Sequence, residues 1–167
     1  MSTAYTSSSS SSIDYGHVQK IRINLDDLDG LGIVHNARYA ILFERVLIDY
    51  WLDRGWHFDA KRSVLPDILQ VVGEFHIRFR VPIMSIGHVS VHFWLERVDG
   101  PRATYEFRFL SPDGGTVYAE GHRVQVNIDP ATLKPAPFSD KALDMSRVLM
   151  RAPGSAPPEA GPPTTEC

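Results

Sequence analysis

The chain has 167 residues, 43% hydrophobic and 22% charged, with a net charge of −3 at pH 7, so one globular domain with a real core is expected and a wholly disordered or fibrous chain is not. The acidic balance offers no concentrated Lys/Arg surface for phosphates, which argues against nucleic acid as a partner. The single cysteine, Cys167, rules out an internal disulfide framework or a cysteine metal site, and no signal-like leader or bilayer-length apolar run is present, so a soluble cytoplasmic protein without a membrane partner is expected.

Residues 1–16 read as a disordered Ser-rich tail, 17–138 as the folded domain, and 139–167 as a C-terminal extension ending in a disordered Pro/Ala/Gly-rich tail. Within the domain, Val18 to Leu25 alternates polar and apolar residues imperfectly, the pattern of a half-buried strand. From Asn36 to about Arg54 there is no Pro or Gly, and Gly55 follows where a helix C-cap belongs, which predicts one long helix. On its wheel Tyr39, Phe43, Val46, Leu47, Tyr50 and Trp51 share one broad face, with Ile41, Ile48 and Leu52 continuing round it. Arg38, Arg45, Asp49 and Asp53 alone form a polar stripe, so a curved sheet or a partner subunit must cover the rest.

The second half reads as strands. Leu69, Val71, Phe75, Ile77 and Phe79 share one parity before Pro82, and Val89, Val91, Phe93 and Leu95 share the next. Turn chemistry at Asp99-Gly100-Pro101 and at Ser111 to Gly115 separates runs at Ala103–Leu110 and Thr116–Asn127. A strand, a long helix and four further strands predict an α+β fold, an antiparallel sheet of about five strands wrapped around one central helix.

The segment Asp27-Leu28-Asp29-Gly30-Leu31-Gly32-Ile33-Val34-His35-Asn36 places two carboxylates and two turn-forming glycines just before the helix. One reading is capping and loop hydrogen bonding, with His35 and Asn36 as ordinary helix-start residues. The other is chemical. Free N–H groups at a helix start, backed by the macrodipole, suit a carbonyl oxygen that gains negative charge, and a facing carboxylate suits a nucleophile or base.

This segment, continued by Ala37-Arg38-Tyr39 and Phe43-Glu44, resembles the signature of the 4-hydroxybenzoyl-CoA thioesterase-like family of hotdog-fold acyl thioesterases. Phe79-Arg80-Val81-Pro82 resembles that family's aromatic-x-x-Pro strand end, and Ala119-Glu120-Gly121 with Val124 and Val126 its last strand, so the similarity covers roughly residues 18–138. The resemblance implies a hotdog fold assembled as a homodimer or homotetramer, and hydrolysis of an acyl-CoA or acyl-carrier-protein thioester without cofactor or metal. It implies Asp29 as nucleophile or general base and the Asn36 backbone N–H as the group polarising the carbonyl. Gly32, His35, Tyr39 and Glu44 would then lie on the substrate, with Asp27 in support. Where many relatives read Gly-His-Val-Asn-Asn, this chain has Gly32-Ile33-Val34-His35-Asn36, which keeps the aspartate and the polarising position.

Glu44 falls in an otherwise apolar arc of the helix, which suggests an ion pair at a subunit interface or a place in the acyl pocket. Arg97 and Arg102 flank a turn and could hold coenzyme A phosphates, or be ordinary surface residues; Lys61-Arg62 has the same two readings. His76, His88 and His92 fit structural, exposed or interface positions. Two rival functions stay open: a hotdog dehydratase or hydratase pairing Asp29 with His35, though the Asp-x-Asn-Pro-x-His segment of such enzymes is absent, and a non-catalytic acyl-binding domain.

Overall fold

A computed structural model describes residues 13–151, so most of both expected tails lies outside the described residues. Alternation in the second half of the chain builds the sheet, and the sheet positions everything else. Its strands are β1 (His17–Ile23), β2 (Gln70–Phe79), β3 (Gly87–Asp99), β4 (Arg102–Leu110) and β5 (Val117–Asn127), in the order β1-β3-β4-β5-β2 with every neighbouring pair antiparallel. The inner face presents Val89, Val91, Phe93 and Leu95 of β3 beside Ala103, Tyr105, Phe107 and Phe109 of β4, all buried.

Helix α1 (Arg38–Leu52) lies across that face. Phe43 meets Phe107 and Phe93 with ring centroids 4.4 and 6.0 Å apart, Tyr39 meets Phe109, and Tyr50 meets Phe93. Leu42, Val46 and Leu47 are buried beside these rings and complete the apolar face of the helix. The architecture is the expected α+β hotdog. The helix is 15 residues, shorter than the span from Asn36 to Arg54, because His35 to Ala37 form a turn closed by the Arg38 N–H on the His35 carbonyl at 2.9 Å. The sheet covers one side of it, and Ile41, Ile48 and Leu52 stay exposed in the single chain.

Strand β2 departs from the simple parity. Pairing shifts between Val72 and Glu74, so Gly73 is an extra residue in the ladder. Val72 then sits opposite Gln125 on the helix side, while Val71, opposite Val126, moves to the outer face. Beyond the bulge Phe75 and Ile77 pack towards the core as expected. Gly121 of β5 lies so close to β2 that a Cβ there would overlap the His76 carbonyl, which explains a glycine in the middle of a strand.

The stretch expected to be an extension is part of the core as far as Leu149. Helix α2 (Asp140–Ser146) is capped by Ser139, whose hydroxyl accepts the Ala142 N–H at 3.1 Å, and Leu149 is 1% exposed. Asp67, itself buried, fastens this segment by accepting the Ser139 N–H at 2.9 Å and the Asn127 amide at 3.2 Å. Tyr15, within the expected N-terminal tail, packs edge-on against His92 and Trp94 on the outer sheet face. Among the described residues no helix is long and apolar enough to cross a membrane.

His92 is 2% exposed and donates Nε2–H to the Tyr15 carbonyl at 3.0 Å. Burial lowers its imidazole to about 4, with the Tyr15 carbonyl opposing the change. The unfolded chain therefore binds a proton near pH 6.5 that the folded protein refuses until about pH 4. Above 6.5 both states are neutral at this position. Stability should fall as pH drops through that window, by roughly 3 kcal/mol from this residue. Urea unfolding at pH 7 and pH 4.5 checks this, with a smaller decrease expected for His92→Gln.

Candidate active site

The connection from β1 to α1 is built on two buried or half-buried carboxylates. After β1 the chain makes one 3-10 turn, Leu25–Asp27, and the Asp27 carboxylate turns inward. It accepts the Asn24 N–H at 2.8 Å and faces the Arg38 Nε at 3.5 Å, while its backbone carbonyl accepts the His35 N–H at 2.9 Å. Asp27 thus ties the end of β1 to the start of α1.

Asp29 organises the loop between them. Its Oδ1 accepts N–H groups from Leu31 at 2.8 Å and Ile33 at 3.4 Å. Its backbone closes the same loop, donating to the Ile33 carbonyl at 2.8 Å and accepting from Gly32 at 3.0 Å. Gly32 has φ +75°, a left-handed conformation that glycine adopts without strain. The carboxylate is held by Oδ1 alone, and Oδ2 has no hydrogen-bond partner among the described residues.

The helix start is equally specific. From Leu31 to Arg38, every backbone N–H except that of Asn36 has an acceptor within the loop, at the Ile83 carbonyl or at Asp27. The Asn36 and His35 side chains both accept the Ala37 N–H, at 2.9 and 3.2 Å. The Asn36 N–H has no acceptor among the described residues. A free donor at the positive end of α1 suits an oxygen that becomes anionic.

These groups converge on one cleft of about 450 Å³, lined by Asp29, Ile33, Val34, His35, Asn36 and Tyr39 on one side and by the Phe79 to Pro82 strand end on the other. Tyr39 packs edge-on against Phe79 at 5.2 Å, and burial pushes its hydroxyl up to about 12, so it stays protonated. Arg80 is held at the cleft by two bonds to Glu120 Oε1, at 3.0 and 2.5 Å. Asp29, His35, Asn36 and Tyr39 are therefore brought together, while Gly32 shapes the loop without lining the cleft.

The other expected site residues lie elsewhere on this chain. Glu44 is two turns along α1, its carboxylate half-exposed and 3.3 Å from Arg123 Nη1 of β5, which gives it an ion-pair partner within the chain. Arg97 and Arg102 are exposed near the β3–β4 turn, at the end of the sheet away from the cleft, since Arg102 pairs with Val126 whereas Phe79 pairs with Ala119. Sequence reasoning placed Phe79 to Pro82 at a strand end but did not assign it to the site. Arg123 was also missed, although it shares the inward parity of Ala119 and Gly121.

The chain and its fold have counterparts among known proteins. Residues 23–145 match the model of the Thioesterase-like superfamily, and the chain belongs to that superfamily. A Bacillus subtilis (strain 168) protein named "Putative acyl-CoA thioesterase YneP" is 24% identical over 126 residues, covering 73% of this chain and 88% of its own. The PA5185 protein of Pseudomonas aeruginosa PAO1 has a similar structure, with TM-score 0.70 and 20% identity over 83% of this chain and 94% of its own. A Thermus thermophilus thioesterase, solved with coenzyme A and Zn, has TM-score 0.62 and 22% identity over 79% of this chain and 92% of its own. At these identities the structural likeness establishes the fold.

The two aspartates should separate under mutation. Asp27→Ala leaves the Asn24 N–H and Arg38 without their buried acceptor and should lower the unfolding free energy by about 2 kcal/mol in urea titration.

Proposed function

We propose that the protein hydrolyses acyl-CoA thioesters, or acyl thioesters on a carrier protein, in the cytoplasm. The observation that carries this reading is the pairing, in one cleft, of an aspartate with an unengaged Oδ2 and a helix-start N–H with no internal acceptor. The thioester carbonyl oxygen would accept the Asn36 N–H, and negative charge developing there would be stabilised by that donor and by the α1 dipole. Asp29 Oδ2 would either attack the carbonyl carbon, expelling thiolate and leaving a mixed anhydride for water to cleave, or take a proton from the attacking water. A thiolate leaves without a strong general acid, which fits a cleft whose buried phenol stays protonated.

Membership of the superfamily and the acyl-CoA thioesterase name of the Bacillus subtilis relative support the substrate class. The Thermus thermophilus structure with coenzyme A supports that carrier. A homodimer or homotetramer is part of the same reading. Ile41, Ile48 and Leu52 of α1 and Val72 and Phe79 of the edge strand β2 are exposed apolar side chains that a second copy would cover.

Thiol release from a panel of acyl-CoAs tests the proposal. Asp29→Asn should lower kcat by at least about 100-fold with a smaller effect on KM, because the lost group acts on the reacting carbonyl. Equal turnover by both proteins would overturn the role of Asp29. Hydration of an enoyl-CoA without thiol release would replace hydrolysis by the hydratase reading.

A further inference from the structure

His35 lines the Asp29 cleft, and the proposed reaction gives its side chain no part. Its backbone is engaged on both sides: the N–H donates to the Asp27 carbonyl at 2.9 Å, and the carbonyl accepts the Arg38 N–H at 2.9 Å. Any residue but proline at this position would make the same two bonds. The side chain is exposed, and among the described residues its hydrogen bond is through Nδ1, which accepts the Ala37 N–H at 3.2 Å. That bond is redundant for the fold, because Asn36 Oδ1 accepts the same N–H at 2.9 Å. The helix start is therefore capped without the imidazole.

What the bond does fix is the state of the ring. A backbone N–H can only donate, so Nδ1 carries no proton while it accepts, and the neutral imidazole holds its proton on Nε2. Nε2 has no hydrogen-bond partner among the described residues. Consecutive residues lie about 3.8 Å apart along the backbone, so a ring anchored 3.2 Å from the Ala37 nitrogen stands beside the Asn36 N–H. Other polar groups of the cleft are committed elsewhere. Arg80 is bonded to Glu120, and Tyr39 is 2% exposed with its ring against Phe79 and Phe109. The cleft thus presents two neighbouring donors without acceptors, one from the backbone of Asn36 and one from the ring of His35.

We propose that His35 Nε2–H is a second hydrogen-bond donor to the thioester carbonyl oxygen, beside the Asn36 N–H. This rests on the thioesterase reading for what occupies the cleft. Both bonds strengthen as the oxygen becomes anionic, which is where stabilisation accelerates the reaction. The imidazole acts as a neutral donor throughout, and no proton leaves it. Losing the Nε2 proton while Nδ1 stays bonded to Ala37 would make an imidazolate. Gaining one at Nδ1 would break the Ala37 bond and set a cation at the positive end of α1. The neutral ring is the form that this helix start accommodates.

Two substitutions separate this role from capping. An Asn amide reaches about as far as Nδ1, and a Gln amide about as far as Nε2, so His35→Asn keeps the cap and His35→Gln keeps the donor. His35→Asn should lower kcat at least about tenfold with a smaller change in KM, and His35→Gln by less than about threefold. A capping role gives the opposite order. The second readout is the infrared carbonyl stretch of a bound thioester, measured on the Asp29→Asn protein with isotope-labelled acetyl-, hexanoyl- or benzoyl-CoA, whichever binds most tightly by calorimetry. Adding His35→Asn should raise that frequency towards its value in water, and adding His35→Gln should leave it low. A frequency unmoved by His35→Asn, or a greater loss of kcat in His35→Gln than in His35→Asn, would overturn the inference. The frequency is read without turnover, so binding without any wild-type hydrolysis would overturn the thioesterase reading alone.

Discussion

The arrangement of this protein depends on how the backbone between Leu31 and Arg38 uses its N–H groups. Backbone polar groups of a folded loop pair with the protein or with water, and this partly exposed loop pairs its N–H groups internally with the Asp29 carboxylate, the Asp27, Asp29, Ile83 and His35 carbonyls, and the His35 and Asn36 side chains. Only the Asn36 N–H is left over in that stretch. The same carboxylate that closes the loop through Oδ1 keeps Oδ2 unengaged at the cleft. One set of hydrogen bonds thus shapes the loop, fixes the acid and leaves the donor free.

The sheet makes this local arrangement durable. Phe43, Tyr50 and Tyr39 lock α1 against β3 and β4, so the helix axis and its positive end cannot drift relative to the β2 strand end that forms the other wall. Asp27 adds the short-range tie, holding the start of α1 to the end of β1. A catalytic group placed on a loop gains precision when both ends of that loop are anchored in rigid elements.

Much of this was legible in the sequence because it is encoded locally. The Asp27 to Asn36 segment carries its own turn glycine and its own acceptors, and the alternation in β3, β4 and β5 declares the buried face. What was not legible depends on contacts between distant residues. The bulge at Gly73 reverses the facing of Val71, and a lone glycine in a strand pattern does not say which ladder residue it displaces. Glu44 was visible as an anomaly on an apolar arc, but its partner Arg123 lies 79 positions away and was identified only once β5 was in register with β2. Arg97 and Arg102 flank a turn, as anion-binding residues would, yet the strand order carries that turn to the end of the sheet opposite Asp29. The packing of Tyr15 on His92 and of residues 139–149 on the core likewise follows from the finished surface, not from local pattern.

In the proposed reaction the Asn36 backbone donor, not its side chain, polarises the carbonyl. The most direct measurement is thioester hydrolysis by a semisynthetic protein in which the amide N–H of Asn36 is replaced by an ester oxygen, beside Asn36→Ala, which keeps the N–H. The expected result is a kcat lowered by about 100-fold or more for the ester and close to wild type for the alanine variant. An ester-substituted protein that turns over as fast as wild type would contradict this role for the Asn36 N–H.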